Sequence, residues 1–379
     1  MRLLHTSDWH IGKRFEETDL LAQQAVFCDW LVDFVATEKI DALLLAGDIF
    51  DRALPKADAI DLVDEVLNRI SATGTAIVAI SGNHDSAERL NFGSRFMSGA
   101  KVHLRAERPL LQDTGAPVTI TRSSDGDSIE ILPLPYIDPQ RVLMPEGMQR
   151  RHDTALEEVI RHHRGSLVDV SRTIVMSHSF VTGGLESDSE RPLTVGGTGM
   201  VPSSVFDGFG YVALGHLHRP QIVGADHIVY SGSPMSYSFS EEHQKSVRII
   251  ETDGSISSHT VDVNVGRKVA TIADTLQNML TSSKYEKHRD SFVRARLADT
   301  TLQLGIMDKL RQRFPYIISA DQPAVTRRGA LSLEEMRNAV PLSPAQIVTR
   351  YLDETFDELG EFESGFINQA VDFSLKGDY

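Results

Sequence analysis

Arg2-Leu3-Leu4-His5-Thr6-Ser7-Asp8-Trp9-His10 is the stretch whose reading decides the fold. A short apolar run stops at a carboxylate and an imidazole two positions apart. The same order returns along the chain. Ala42-Leu43-Leu44-Leu45 leads to Gly47-Asp48-Ile49-Phe50-Asp51, and Ala76-Ile77-Val78-Ala79-Ile80 leads to Gly82-Asn83-His84-Asp85. Residues 173–176 run into Ser177-His178, and 211–214 into Gly215-His216-Leu217-His218. Apolar runs of this length bounded by turn residues read as buried strands. Residues 20–35 and 57–70 place apolar side chains at helical spacing between the first three runs. Strands alternating with helices predict a layered α/β domain. Sites in such folds lie beyond the carboxyl ends of strands, so five loops would meet in one crevice. Glycines before Asp48, Asn83 and His216 suit tight turns that bring backbone close to that crevice.

The residues delivered there share one chemistry. Asp8, Asp48, Asn83, His10, His178, His216 and His218 are seven oxygen and nitrogen donors with no thiolate among them. Such a set suits Mn²⁺, Fe²⁺ or Zn²⁺ better than Ca²⁺ or a cysteine-held structural zinc. Any one Asp-x-His or His-x-His pair is commonplace. Five fragments in this order, each after a strand, are not.

These fragments together resemble the calcineurin-like metallophosphoesterases. The run His5-Thr6-Ser7-Asp8-Trp9-His10-Ile11-Gly12, with Ala213-Leu214-Gly215-His216-Leu217-His218-Arg219 and Ser231-Gly232-Ser233-Pro234, is similar to the SbcD-like bacterial nucleases within that superfamily. The likeness covers about residues 1–262, and the remainder matches in layout. It implies a β-sandwich flanked by helices, then a small α+β capping domain and C-terminal helices. It also implies two divalent ions, with manganese expected. Asp8, His10, Asp48 and His218 would hold one; Asp48, Asn83, His178 and His216 the other, with Asp48 bridging. Two ions roughly 3.5–4 Å apart can generate a hydroxide and stabilise both oxygens of an in-line phosphoryl displacement. His84 would stabilise the transition state or protonate the leaving oxygen, a role suited to a group titrating near neutrality. Asp51 would orient His84 as a carboxylate–imidazole pair, and Arg52 would contact phosphate. Among other conspicuous residues, His5 reads as a packed or hydrogen-bonded strand residue, Trp9 as a wedge between ligands, and Cys28 as core.

Composition frames this reading. The chain has 379 residues, 41 % hydrophobic and 24 % charged, which predicts two or three folding units. No run approaches about 18 apolar residues, so no membrane span is expected. The opening residues have too short an apolar run for a signal peptide, and one cysteine fits a reducing cytoplasm. The net charge of −15 by itself argues against nucleic acid. It is unevenly spread. Residues 1–266 carry 23 basic and 37 acidic side chains, whereas 267–328 carry 12 and 6, and 343–379 carry 2 and 8. This pattern suggests three units with different partners. The resemblance implies a nuclease domain over 1–266, a capping and DNA-contact domain over 267–325, a linker over 326–342, and a helical hairpin over 343–379 that binds an ATPase partner. Later strand candidates at 129–132, 173–176, 211–214, 228–230, 247–250 and 257–263 follow one another without long helices, which suggests antiparallel pairing. In the basic unit, 272–280 and 304–314 read as helices, 292–297 and 316–319 as strands. The Gly/Ser-rich segment 182–199 reads as a mobile loop.

Lys284, Lys287, Arg289, Arg294, Arg296, Arg311, Arg313, Arg327 and Arg328 could track a DNA backbone, with selectivity for ends, hairpins and single strands rather than for base sequence. No Gly-x-x-x-x-Gly-Lys-Ser/Thr loop is present, so this chain would not hydrolyse ATP. The resemblance implies instead an SbcC-type ABC ATPase partner, gripped by the apolar stripe after Ser343, and a homodimer within a heterotetramer. Three readings stay open: a DNA phosphodiesterase with an ATPase partner, a small-molecule phosphodiesterase or phosphatase, and a non-catalytic scaffold for the ATPase.

Overall fold

Four apolar segments, β1 (Arg2–Thr6), β2 (Ala42–Ala46), β3 (Ala76–Ile80) and β4 (Val102–Arg105), pair in parallel in the computed structural model. The structure describes residues 1–106, 117–122, 124–142, 144–190 and 199–323. Helix α1 (Leu21–Glu38) joins β1 to β2, and α2 (Ala57–Ala72) joins β2 to β3, as parallel neighbours require. In α2, Ala59, Val63, Val66 and Ile70 recur at helical spacing and are buried, with Asp58 in the first turn and Arg69 in the last to complement the helix dipole.

A second sheet follows: β5 (Val118–Thr121), β6 (Ser128–Leu134), β7 (Thr173–His178), β8 (Tyr211–Gly215), β9 (Gln221–Ile222) and β10 (Ile228–Tyr230). Strands β11 (Ser246–Glu251) and β12 (Ser257–Asp262) then return to the first sheet. The orders are β12-β11-β1-β2-β3-β4 and β9-β10-β8-β7-β6-β5. Alternate residues of both sheets face each other. Leu3, Leu44, Val78, Ile131, Met176 and Ala213 belong to one buried cluster between them. The intervening residues point outward, and Leu132, Val175 and Leu214 pack with Leu156, Val159 and Ile160 of helix α3 (His152–Arg164). Covering both faces is why these strands read as unbroken apolar runs rather than alternating ones. Each fully buried Leu or Ile contributes about 1.5–3 kcal/mol, and truncating Leu44 to alanine costs about 2–5 kcal/mol with its cavity.

His5 crosses between the sheets. Its Nε2 donates to the Leu214 carbonyl at 3.1 Å, and its Nδ1 lies 3.2 Å from the Tyr211 hydroxyl. Burial pushes its pKa down to about 3, so it serves as a neutral cross-brace.

The pairing of the late strands differs from expectation. β6 with β7, β7 with β8, and β8 with β10 are parallel. Antiparallel pairs stand at the outer positions: β5 with β6, β9 with β10, and β11 with both β1 and β12. A parallel crossover needs a connection of about a dozen residues, not a long helix. Segments 179–210 and 216–227 are long enough, and no long helix stands among their described residues.

The chain divides into two compact units after Lys268. The second holds a parallel sheet in the order β13 (Val269–Asp274), β14 (Phe292–Leu297), β15 (Ile317–Asp321), with helices α4 (Leu276–Thr281) and α5 (Ile306–Arg311). Ile272, Met279, Val293, Leu310 and Phe314 form its core. Residues 272–274, expected in a helix, are strand. Thr275 caps the helix, its side chain accepting from the Asn278 N–H, so the helix begins only at Leu276. The expected linker 326–342 and helical hairpin 343–379 lie outside the described residues. Among those described, no helix is long and apolar enough to cross a membrane.

Candidate metal centre

The loops after β1 and β2 are zipped together before any side chain is considered. The Asp8 N–H donates to the Gly47 carbonyl at 3.0 Å, His10 to Asp48 at 2.9 Å, and Ile11 to Ile49 at 2.9 Å. Asp8 (φ 55°), His10 (φ 44°), Asp48 (φ 50°) and His216 (φ 106°) all sit on left-handed backbone. Non-glycine residues are uncommon there, and their gathering at one place marks a functional site held against local preference. Two glycines allow the close approach. A Cβ on Gly82 would stand 2.1 Å from Asp48 Oδ1, and one on Gly215 would stand 1.9 Å from the Ala46 carbonyl oxygen.

The side chains converge as the strand-end pattern requires. Donor atoms of Asp8, His10 and His218 lie within 4.8 Å of one another, as do those of Asp8, Asp48 and His178, and of His10, Asp48 and His84. Nε2 of His10 is 3.1 Å from Nε2 of His218, and Asp48 Oδ2 is 3.5 Å from Nε2 of both His10 and His178. Asn83 Oδ1 lies 2.9 Å from His178 Nε2. The rings of His178 and His216 stand 5.4 Å apart, and His216 Nε2 is buried without a hydrogen-bond partner. An orphaned imidazole nitrogen, and ring nitrogens pointing at one another, fit a site built for cations. His178 Nδ1 donates to the Ala46 carbonyl at 2.9 Å, which leaves its Nε2 lone pair facing the cluster.

Electrostatics agree. Burial, with the neighbouring imidazoles, holds His10 and His216 well below the usual histidine pKa, so both are neutral donors. Burial lifts the Asp8 carboxyl to about 6 despite His178 and His218 nearby. Asp85 is lifted to about 7 by burial and by Asp48. The cost of a buried carboxylate is relieved by a bound cation. All seven expected donors therefore fit divalent ions, with Asp48 centrally placed.

Three other residues fall differently. His84 Nδ1 donates to the main-chain carbonyl of Asp51 at 2.8 Å. The expected carboxylate–imidazole pair is not formed. The Asp51 carboxylate instead meets Lys13 Nζ at 2.9 Å, Arg52 Nε at 3.6 Å and His10 Nδ1 at 3.8 Å. Arg52 is 73 % exposed on the rim. Trp9 is fully buried, its Nε1 donating to Thr6 Oγ1 at 3.0 Å, and acts as the wedge. Cys28 is buried core, with its thiol pushed up to about 12 by that burial.

The sequence reading missed the residues behind the donors. Asp85 accepts N–H bonds from Ile49, Phe50 and Gly82 at 3.1, 2.9 and 2.9 Å, tying two ligand loops together. Its place beside Gly82-Asn83-His84 was a usable signal. Glu241 is wholly buried beside His218 and bonds to Lys245. Burial opposes its charge, but Lys245 and His218 outweigh it and keep the carboxyl well below the ordinary range. A cavity of about 310 Å³ lined by Asn83, Tyr136, Asp138 and Arg141 adjoins the centre. A larger one of 780 Å³ lies at the opposite strand ends, near Asp41, Thr75 and Lys101, away from the donors.

Residues 1–220 match the calcineurin-like phosphoesterases. Among solved structures, the chain is similar to a protein of Thermus thermophilus at 13 % identity and a TM-score of 0.38, covering 69 % of this chain and 99 % of that one. It is also similar to a dimetal phosphatase from Danio rerio at 11 % identity and a TM-score of 0.37, covering 70 % and 99 %. With more than half its length matched over residues 1–220, and with the donors gathered where strand ends meet, the chain belongs to the calcineurin-like phosphoesterase family.

Proposed function

We propose that this phosphoesterase is a DNA nuclease of the SbcD-like kind, hydrolysing phosphodiester bonds with two divalent ions, manganese foremost, alongside an SbcC-type ATPase. The observation that carries the choice of DNA is a basic segment of the chain: 12 basic against 6 acidic residues over 267–328, in a chain whose donor set is made for cations. Lys284, Lys287, Arg289, Arg294 and Arg296 supply sequence-independent contacts to a phosphate backbone. Bound ions would supply Lewis-acid polarisation and an activated water. The chain's own residues do the rest. Asp8, Asp48, Asn83, His10, His178, His216 and His218 hold the ions. His84, half-buried with its Nδ1 pinned to a carbonyl, presents Nε2 as the atom that delivers a proton to the leaving oxygen. Asp51 fixes His84 through its main chain, and Arg52 on the rim meets phosphate. In this reading the chain works as a homodimer within a heterotetramer, attached to the ATPase through residues 343–379, in the cytoplasm near the nucleoid.

The net charge of −14 over residues 1–266 and the 310 Å³ cavity favour a second reading, a small phosphoester substrate. The test is cleavage of blunt duplex, hairpin and single-stranded DNA in Mn²⁺, with and without the ATPase and ATP, set beside small phosphoesters. The DNA reading requires cleavage of ends and hairpins that is lost on truncation after residue 266. A truncated protein that keeps full activity, or activity confined to small esters, establishes the alternative.

A further inference from the structure

The Gly/Ser-rich loop after β7 is expected to be mobile, yet its described part, 182–190, is bonded at several points. The Leu185 N–H donates to Gln221 Oε1 at 2.8 Å, and Gln221 Nε2 donates back to the Leu185 carbonyl at 3.0 Å. The Asp188 N–H donates to Ser240 Oγ at 2.9 Å. Beside these anchors the loop reaches the back of a metal-site histidine. Ser189 Oγ lies 2.7 Å from His218 Nδ1 and bonds to Glu241 Oε1, while Glu190 Oε1 accepts the His218 N–H at 2.7 Å.

These hydrogen bonds run in one direction. Glu241 is 0 % exposed, and its other oxygen is taken by the Lys245 ammonium, which also donates to Ser233 Oγ at 2.9 Å and to the His218 carbonyl at 3.2 Å. A carboxylate so placed only accepts, so the Ser189 hydroxyl donates to Glu241. Its lone pair then accepts Nδ1–H from His218. That leaves Nε2 of His218 with a free lone pair, 3.1 Å from His10 Nε2, facing the cluster.

We infer that Ser189, Glu190, Glu241 and Lys245 form a clip that sets the tautomer and aim of His218, and that ion retention and the order of segment 182–190 are thereby coupled. These are positioning residues, none of them a ligand. The inference rests on the two-ion reading of the site and is indifferent to whether the ester is DNA or a small molecule. Outer partners of ligating histidines typically alter metal affinity by about 10–100-fold. The hydroxyl is the feature under test, because threonine keeps it and alanine does not.

The experiment is calorimetric titration of Mn²⁺ into the metal-stripped full chain and into Ser189→Ala, Ser189→Thr and Glu190→Gln. It is paired with limited proteolysis across 182–190 and with thermal unfolding of each metal-free protein. Wild type should take two ions and become protected in the loop. Ser189→Ala should weaken one binding step by about 10–100-fold, spare the other, and lose the protection while unfolding at the wild-type temperature. Ser189→Thr should recover both affinity and protection, and Glu190→Gln should weaken the same step. The clip is overturned if wild type binds two ions and Ser189→Ala binds both equally well, or if threonine fails to rescue. A wild type that binds no Mn²⁺ overturns the two-ion reading, and the clip falls with it.

Discussion

Asp8→Asn should make the metal-free protein more stable while disabling ion binding. Asp8 is fully buried, and burial raises its carboxyl from an ordinary 3.8 to about 6 against the opposing pull of His178 and His218. The unfolded chain thus releases this proton near 3.8, and the folded chain near 6. Between those values the folded state holds the proton more tightly. Stability therefore falls as pH rises through the window, and the full penalty is present at pH 7. A difference of roughly two units at about 1.4 kcal/mol each gives about 3 kcal/mol at pH 7, and about half of that at pH 5. Asparagine has the same shape, can still accept the His216 N–H that Asp8 accepts at 3.0 Å, and carries no charge to desolvate. Urea unfolding followed by circular dichroism in EDTA, at pH 7 and pH 5, measures the gain. Adding Mn²⁺ should reverse the order, because an ion at a hundred times its dissociation constant stabilises the wild type by about 2.7 kcal/mol and the variant by less. The reasoning is refuted if the variant is no more stable than wild type in EDTA at pH 7, or if the difference ignores pH.

Replacing His84 with alanine should leave both ions bound and lower phosphodiester cleavage by about 10²–10⁴-fold, with cleavage rates and metal content measured on one preparation. Gly82→Ala pushes a methyl against Asp48 Oδ1, and should lower both the melting temperature, by the equivalent of about 1–3 kcal/mol, and Mn²⁺ affinity. Normal affinity in that variant would show that the Asp48 carboxylate has room to move. Deleting residues 343–379 should spare Mn²⁺-dependent cleavage of simple substrates and abolish co-purification with the ATPase, so a retained complex would remove the tail from that role.

The donors were legible because each stands at or just beyond the end of an apolar run, where strand geometry leaves a side chain little choice of address. Asp8, Asp48 and His178 meet for that reason alone. What stayed hidden depends on contacts that local pattern does not encode. Ser189 reaches His218 across 29 positions and Glu241 across 52, and neither spacing carries a metal-ligand signature. The parallel pairing of β7, β8 and β10 was obscured because no long helix stands among the described residues of their crossovers, and periodicity only reveals crossovers that are helices. At 272–274 the apolar spacing served strand and helix alike, and only the Thr275 cap separates them. Asp51 meets His84 through its main-chain carbonyl and not its carboxylate, a distinction that residue identity alone does not encode.

The left-handed backbone at Asp8, His10, Asp48 and His216 narrows the paths open to mutation. A branched or bulky replacement there loses a donor and also meets a steric clash, whereas asparagine and aspartate tolerate that conformation. For Asp8 and Asp48 the accessible neighbour is therefore the amide, which keeps the loop and discards the charge. A descendant released from selection for hydrolysis would reach an intact, ion-poor scaffold by a single such step, and at Asp8 that step leads towards greater stability.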